Sequence, residues 1–239
     1  MLERLQNIIA HAGVASRRGA AELVGEGRVT VDGVEVREPG ARFDPASVCV
    51  RIDGRRIAAE EPKRTIMLYK PVGVISSRRD DFGGKTVLDL IAGKIPERLV
   101  PVGRLDKDSE GLMLMSNDGG LVNRLTHPRY EHEKTYIVKV AGKWSEEKLA
   151  ILRGSVEMPD GYVIRPVPVE VVHVFPDHTL VLKFVLKEGR KRQIRYMCSA
   201  AHLVVLTLKR VAVGRLELDR RLRPGEWRDL TAQELELLK

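Results

Sequence analysis

Two short apolar runs, Leu99 to Val102 and Leu112 to Met115, enclose the charged stretch Gly103-Arg104-Leu105-Asp106-Lys107-Asp108-Ser109-Glu110-Gly111. Apolar runs of this length, bounded by turn residues, read as strands buried in a sheet, so the chain must bring two covered strands together at this loop. The loop carries Arg104, Asp106, Lys107, Asp108 and Glu110, more charge than a turn needs. Its glycines stand where the backbone bends or is closely approached. On residue types alone, a solvated loop with an internal arginine–carboxylate pair accounts for the stretch about as well as a catalytic carboxylate does.

The remaining pattern predicts an α+β fold. Leu5, Ile8, Ile9 and Ala12 recur at helical spacing before Gly13, and Ser16 can cap a second helix carrying Ala20, Leu23 and Val24. Val29 to Val36 reads as strand, Asp32-Gly33 turn and strand, and Asp53-Gly54 repeats the hairpin signal. Arg17 and Arg18 open the second helix and Arg28 enters the strand, so three cations can share one edge of a small module. On charge alone this is a solvated polar face. Residues 58–64 hold a proline and no apolar period, a short linker that tethers the module and lets it reorient.

Beyond it, Thr65 to Tyr69 is a strand that stops at Lys70-Pro71-Val72-Gly73, and residues 78–84 form a polar loop expected to be mobile. Thr86 can cap a helix over Val87, Leu88, Leu90 and Ile91; Asp118 and Ser145 can each cap another. His127, next to Pro128, reads as a capping or loop residue. Glu133 to Val140 alternates as a strand and puts Lys134 and Tyr136 on one face. Val163 to Val174 and Leu180 to Leu186 read as strands around a Pro176-Asp177-His178 turn. Five basic residues lie between Lys187 and Arg195, with Ile194 and Met197 at helical spacing, so a basic helix with one packed side is expected there. Leu203 to Leu218 is strand-rich, and Thr231 to Glu234 is a capping box.

A chain of 239 residues with a net charge of +8 favours a polyanionic partner, because cations that neutralise phosphates release counterions. Aromatic residues make up only 5%, which argues against a surface that works mainly by stacking many bases. Cys49 and Cys198 are too far apart to suggest a disulfide framework or a zinc cluster and read as buried thiols. No metal-ligand spacing, phosphate-cradling glycine loop, bilayer-length apolar run or secretory signal occurs, so the cytoplasm is the expected compartment.

The stretch GRLDKDSEGL closely resembles the catalytic motif of the bacterial RNA pseudouridine synthases, in the rRNA-modifying branch of RsuA and RluB type. Ser109 stands where that family more often has threonine, and the hydroxyl is kept. The resemblance continues through KPxG at Lys70, the Lys-x-Tyr pair Lys134 and Tyr136, and EGRKRQIR ending at Arg195. Residues 2–48 resemble the alpha-L RNA-binding domain named after a small-subunit ribosomal protein.

The resemblance implies an alpha-L domain at 1–60 and a catalytic domain at 65–239 around a mixed, largely antiparallel sheet. It makes Asp106 the catalytic aspartate, Tyr136 the ring that stacks on the uracil and helps move its C5 proton, and Arg195 the partner that keeps Asp106 ionised. Lys134 supports the site electrostatically, Arg104 fills the space the extruded base leaves, Lys70 faces RNA in a supporting role, and Arg192 agrees with the branch assignment. Arg17, Arg18 and Arg28 position rRNA without chemistry.

Isomerising uridine to pseudouridine needs neither redox cofactor nor metal. The partner implied is ribosomal RNA, with 23S favoured over 16S, free or in an assembling particle, and the simplest state is a monomer. Two rivals explain less. A noncatalytic ribosome-assembly protein has no use for Asp106, Tyr136 and Arg195 together, and a methyltransferase needs a glycine-rich cofactor turn that the chain lacks.

Overall fold

The structure is a computed structural model that describes residues 1–58, 60–77 and 83–238. Residues 78–82 of the polar loop expected to be mobile, and residue 59 of the linker, lie outside the described residues. The contacts divide the chain into two compact units, Met1–Arg64 with Ile95–Arg98, and Thr65–Lys94 with Leu99–Lys239. The short excursion Ile95–Arg98 has no local signal in the sequence, since its membership rests on long-range contacts such as Glu97 with Arg64 at 2.9 Å.

In the first unit, helices Leu5–His11 and Arg17–Gly25 precede a sheet ordered Val34–Glu35, Val29–Val31, Val50–Ile52 and Arg55–Arg56. Ser16 caps the second helix by accepting from Gly19 N at 2.9 Å. Both Asp-Gly pairs make the expected turns, with positive φ at Asp32 and Gly33 and at Asp53 and Gly54, the conformation that the right-handed twist of paired strands requires. Leu5, Ile9, Ala20, Val24 and Val29 are fully buried and form its core.

The second unit is built on a sheet whose strands run Val169–Val174, Thr179–Leu186, Lys134–Ala141, Val204–Val213, Glu110–Ser116, Thr65–Lys70 and Trp227–Asp229 in spatial order. Val100–Val102 pairs antiparallel with Glu110–Ser116, and Leu216–Glu217 with Val204–Val213. Neighbours are antiparallel except Val204–Val213 beside Glu110–Ser116, which makes the sheet mixed. Every residue of Thr65–Lys70 is buried, as are Gly111 to Ser116, because both faces of these strands are covered. Lys134–Ala141 instead alternates, with Tyr136, Val138 and Val140 buried on one face.

Caps and turns follow near-neighbour chemistry. Asp118 and Ser145 cap the helices Gly119–Thr126 and Glu146–Arg153, and Thr231 with Glu234 forms the capping box of Ala232–Glu236. His127 caps the short 3-10 turn Pro128–Tyr130.

Three local expectations are corrected. No helix follows Thr86: its hydroxyl donates to Asp89 at 2.9 Å, and residues 87–94 form successive turns closed by bonds such as Ile91 N to Leu88 O. Val163 to Val174 is not one strand but two, Val163–Ile164 and Val169–Val174, interrupted where Pro166 and Pro168 lack the N–H a ladder needs. The basic run from Lys187 is not helical until Gln193, because Arg192 takes a left-handed conformation at φ 58°.

Cys198 is buried, with its thiol pushed up to about 12 by desolvation, whereas Cys49 is only half-buried. No helix among the described residues is long and apolar enough to cross a membrane.

Candidate active site

Asp106 sits on the hairpin loop between Val100–Val102 and Glu110–Ser116, and backbone bonds hold that loop on both sides of it. Leu105 is buried, its N–H donates to Ser76 Oγ at 3.0 Å, and its carbonyl accepts from the same hydroxyl at 2.6 Å. Lys107 O accepts from Gly73 N at 2.7 Å, and Ser109 N donates to Asp106 O at 3.1 Å. These anchors fix the backbone and leave the half-buried Asp106 carboxylate with no hydrogen bond or ion pair among the described residues.

The carboxylate lines a cavity of ≈ 220 Å³ together with Arg104, Tyr136, Ile194 and Leu208. Tyr136 reaches it from the strand Lys134–Ala141 and is only 7% exposed. The hairpin loop and the sheet face thus bring Asp106 and Tyr136 to one cavity, with exposed Arg104 at its rim.

Arg195 does not pair with Asp106. Its Nη2 lies 3.2 Å from Asp108 Oδ2 and donates to Asp108 O at 2.9 Å, while Arg192 Nη1 donates to the same Oδ2 at 3.0 Å. The reason is the turn closed by Ser109 N on Asp106 O, which presents Asp108, two residues on, to the helix Gln193–Ala200. Asp108 therefore clamps the loop to the start of that helix through two arginines, a function its sequence context did not signal.

Lys70 is likewise not RNA-facing. It is fully buried beneath the loop, and its Nζ donates to Ser109 O at 2.7 Å and Pro71 O at 3.0 Å. Burial pushes its pKa down from 10.5 to about 8 against the pull of Asp108 and Asp106. The unfolded chain holds this proton more tightly than the folded one, so the cost of burying the charge is full below about pH 8 and disappears as pH rises towards 10.5. Relative to Lys70→Met, the wild type is expected to gain on the order of 3 kcal/mol between pH 7 and 10.5. Urea unfolding of both proteins across that range checks it, and a constant difference would refute the buried ammonium.

Lys134 and Tyr136 share a face as the alternation requires. Lys134 Nζ donates to His132 O at 2.8 Å, and burial, followed by the nearby Arg210 charge, lowers its pKa to about 8. Arg210 is 3% exposed and its Nε donates to Leu112 O at 2.8 Å, tying two sheet strands together. Its alternation with Leu208 and Ala212 was the available sign of an inward-pointing arginine.

Among the first unit's cations, Arg17 and Arg18 are exposed at the start of their helix. Arg28 is already engaged by Asp53, at 2.5 and 2.9 Å, and by Glu26 at 3.3 Å. The Asp53 turn brings this carboxylate to it from 25 residues away.

Residues 64–200 match the family model described as RNA pseudouridylate synthase, and residues 3–48 match the S4 domain. The chain is 42% identical to ribosomal large subunit pseudouridine synthase B of Bacillus subtilis, over 100% of this chain and 96% of that protein. It is 35% identical to the protein of the same name from Vibrio vulnificus, over 100% of this chain and 75% of the relative. A crystal structure of a pseudouridylate synthase superposes with a TM-score of 0.70 at 27% identity, covering 99% of both chains.

Proposed function

Because the chain belongs to the RNA pseudouridylate synthase family, we propose that it isomerises one uridine of large-subunit ribosomal RNA to pseudouridine. The observation that carries the reading is the meeting of Asp106 and Tyr136 in one cavity beneath an arginine rim. The reaction breaks the bond between ribose C1′ and N1 of uracil, turns the base and joins C1′ to C5; the C5 hydrogen then leaves as a proton that exchanges with solvent, and N1 takes up a proton. A base stacked in RNA cannot turn, so it must first be extruded into a pocket.

Asp106 acts as the anionic group on the ribose or the ring, held at the cavity by a loop whose backbone is bonded on either side of it. Arg104, exposed at the rim, takes the space the extruded base leaves. Tyr136 packs on the uracil and its hydroxyl assists in moving the C5 proton. Arg195 and Arg192 act through Asp108, keeping the loop in place. Tyr136→Phe keeps the packed ring, so turnover is expected to fall about a hundredfold with RNA affinity within about twofold. Single-turnover rates and filter binding check this, and normal turnover would remove Tyr136 from proton transfer.

The first 60 residues act as the RNA-binding domain and residues 65–239 as the catalytic domain. Two arginines at a helix N-terminus, where the helix dipole disfavours cations, suit a phosphate that compensates both. The protein works as a cytoplasmic monomer on rRNA, free or in an assembling particle. Large-subunit RNA is favoured by the names of the Bacillus and Vibrio relatives. Release of tritium from C5-labelled uridine in 23S and 16S transcripts tests both reaction and target. Release from 23S alone is expected; release from 16S alone would move the substrate to the small subunit, and none from transcripts or partly assembled particles would refute the reading.

A further inference from the structure

A second cavity, of ≈ 500 Å³, adjoins the first and shares Arg104, Tyr136, Gly189 and Arg190 with it. The isomerisation acts on one nucleotide, and this cavity extends beyond the one that holds Asp106. Its floor is apolar, with Val102, Leu114, Leu125 and Val213, and Lys134, Lys187 and Arg190 line it as cations. Apolar side chains together with cations that outnumber the acidic Glu131 and Glu188 match a nucleobase joined to a phosphate.

One wall is a prebuilt stack. The Arg190 guanidinium carbon lies 3.3 Å from the centroid of the Tyr162 ring. Tyr162 Oη donates to Glu188 at 2.9 Å, Glu188 accepts from Gln193 Nε2 at 3.0 Å, and Arg190 N donates to Gln193 Oε1 at 3.1 Å. These bonds hold the loop before Gln193–Ala200 in place and order the stack without RNA. Guanidinium planes and aromatic rings are the surfaces on which unstacked RNA bases rest.

Extruding the target uridine takes a stacking partner from each of its neighbours. A contiguous second cavity with an ordered platform would restore one of those contacts. We propose that this cavity receives the nucleotide adjoining the target uridine, with the Arg190–Tyr162 stack as its platform. The inference rests on the function proposed above and assigns this wall a part in choosing which uridine is modified.

The test uses the full chain and an rRNA transcript containing the uridine that the wild type modifies. Tyr162→Ala is expected to raise KM about tenfold with kcat within about twofold, the size of one lost base stack. Tyr162→Phe keeps the ring and loses only the bond to Glu188, so its KM is expected to rise less than that of Tyr162→Ala, and equal increases would assign the effect to the loop and not to the ring. An abasic nucleotide on one side of the target should cost the wild type the same factor and leave Tyr162→Ala with no further loss. The inference is overturned if abasic substitution on both sides leaves KM unchanged, if Tyr162→Ala matches wild type on intact RNA, or if its penalty persists in full on abasic RNA. Failure of the wild type to form pseudouridine in any ribosomal RNA would instead overturn the functional reading, and this inference with it.

Discussion

The Asp106→Asn protein is expected to fold and to hold RNA as the wild type does, while forming pseudouridine at least about a thousandfold more slowly, the upper part of the range for a group acting in proton transfer or as a nucleophile. The amide is nearly isosteric with the carboxylate, and the side chain makes no hydrogen bond or ion pair among the described residues that the exchange would break. The loop is secured instead by Leu105, Lys107 and Ser109 through the backbone, so the substitution removes charge without removing an anchor. Tritium release and filter binding on the same transcript separate the two effects. Retained turnover would show that the carboxylate is not the reacting group, whereas equal losses of binding and turnover would make it a docking residue.

Gly111→Ala is the substitution expected to damage the fold most. Gly111 has φ 108° and lies between Lys70 on one strand and Arg210 on the other, at the parallel pairing of Val204–Val213 with Glu110–Ser116. A Cβ built there falls 2.3 Å from Arg210 O and 2.8 Å from Arg210 N. Both are backbone atoms within a ladder and cannot turn aside as a flexible side chain would. Left-handed strain contributes about 1–2 kcal/mol, and separation of the two strands brings the expected loss to about 4 kcal/mol or more, a large share of a domain's stability. Urea unfolding checks the value, and a loss below about 1 kcal/mol would mean that the strands yield easily. Glu110, the neighbouring residue, closes the loop that carries Asp106, so on the proposed function residual folded protein is also expected to turn over slowly.

The elements legible in the sequence are those governed by neighbours along the chain. The Asp32-Gly33 and Asp53-Gly54 turns, the caps at Ser16, Asp118 and Ser145, and the Thr231 capping box are each complete within a few residues. The alternation that put Lys134 and Tyr136 on one face holds because strand side chains repeat every second residue whatever the partners. Thr86 misled for the same local reason: its hydroxyl found the Asp89 carboxylate instead of the backbone N–H groups a cap would serve. Lys70 misled differently, since lysine is rarely buried unless its ammonium is bonded, and the bonding carbonyl of Ser109 lies 39 residues on.

By itself the sequence determined local elements and what they carry, Asp106 in a charged loop between apolar strands and Tyr136 on an alternating strand; a joint role for the two came only from the family resemblance, and the basic run read as helix is not helical before Gln193. Those local elements depend on turn chemistry and on periods of two and 3.6 residues, which the order of residues states directly. Only the tertiary structure decided who meets whom. Arg195 reaches Asp108 across 87 residues, Arg210 reaches Leu112 across 98, and Glu97 joins Arg64 in the first unit across 33. Such pairings follow from the spatial order of the strands, which the energetics of the whole sheet selects; no single residue carries it.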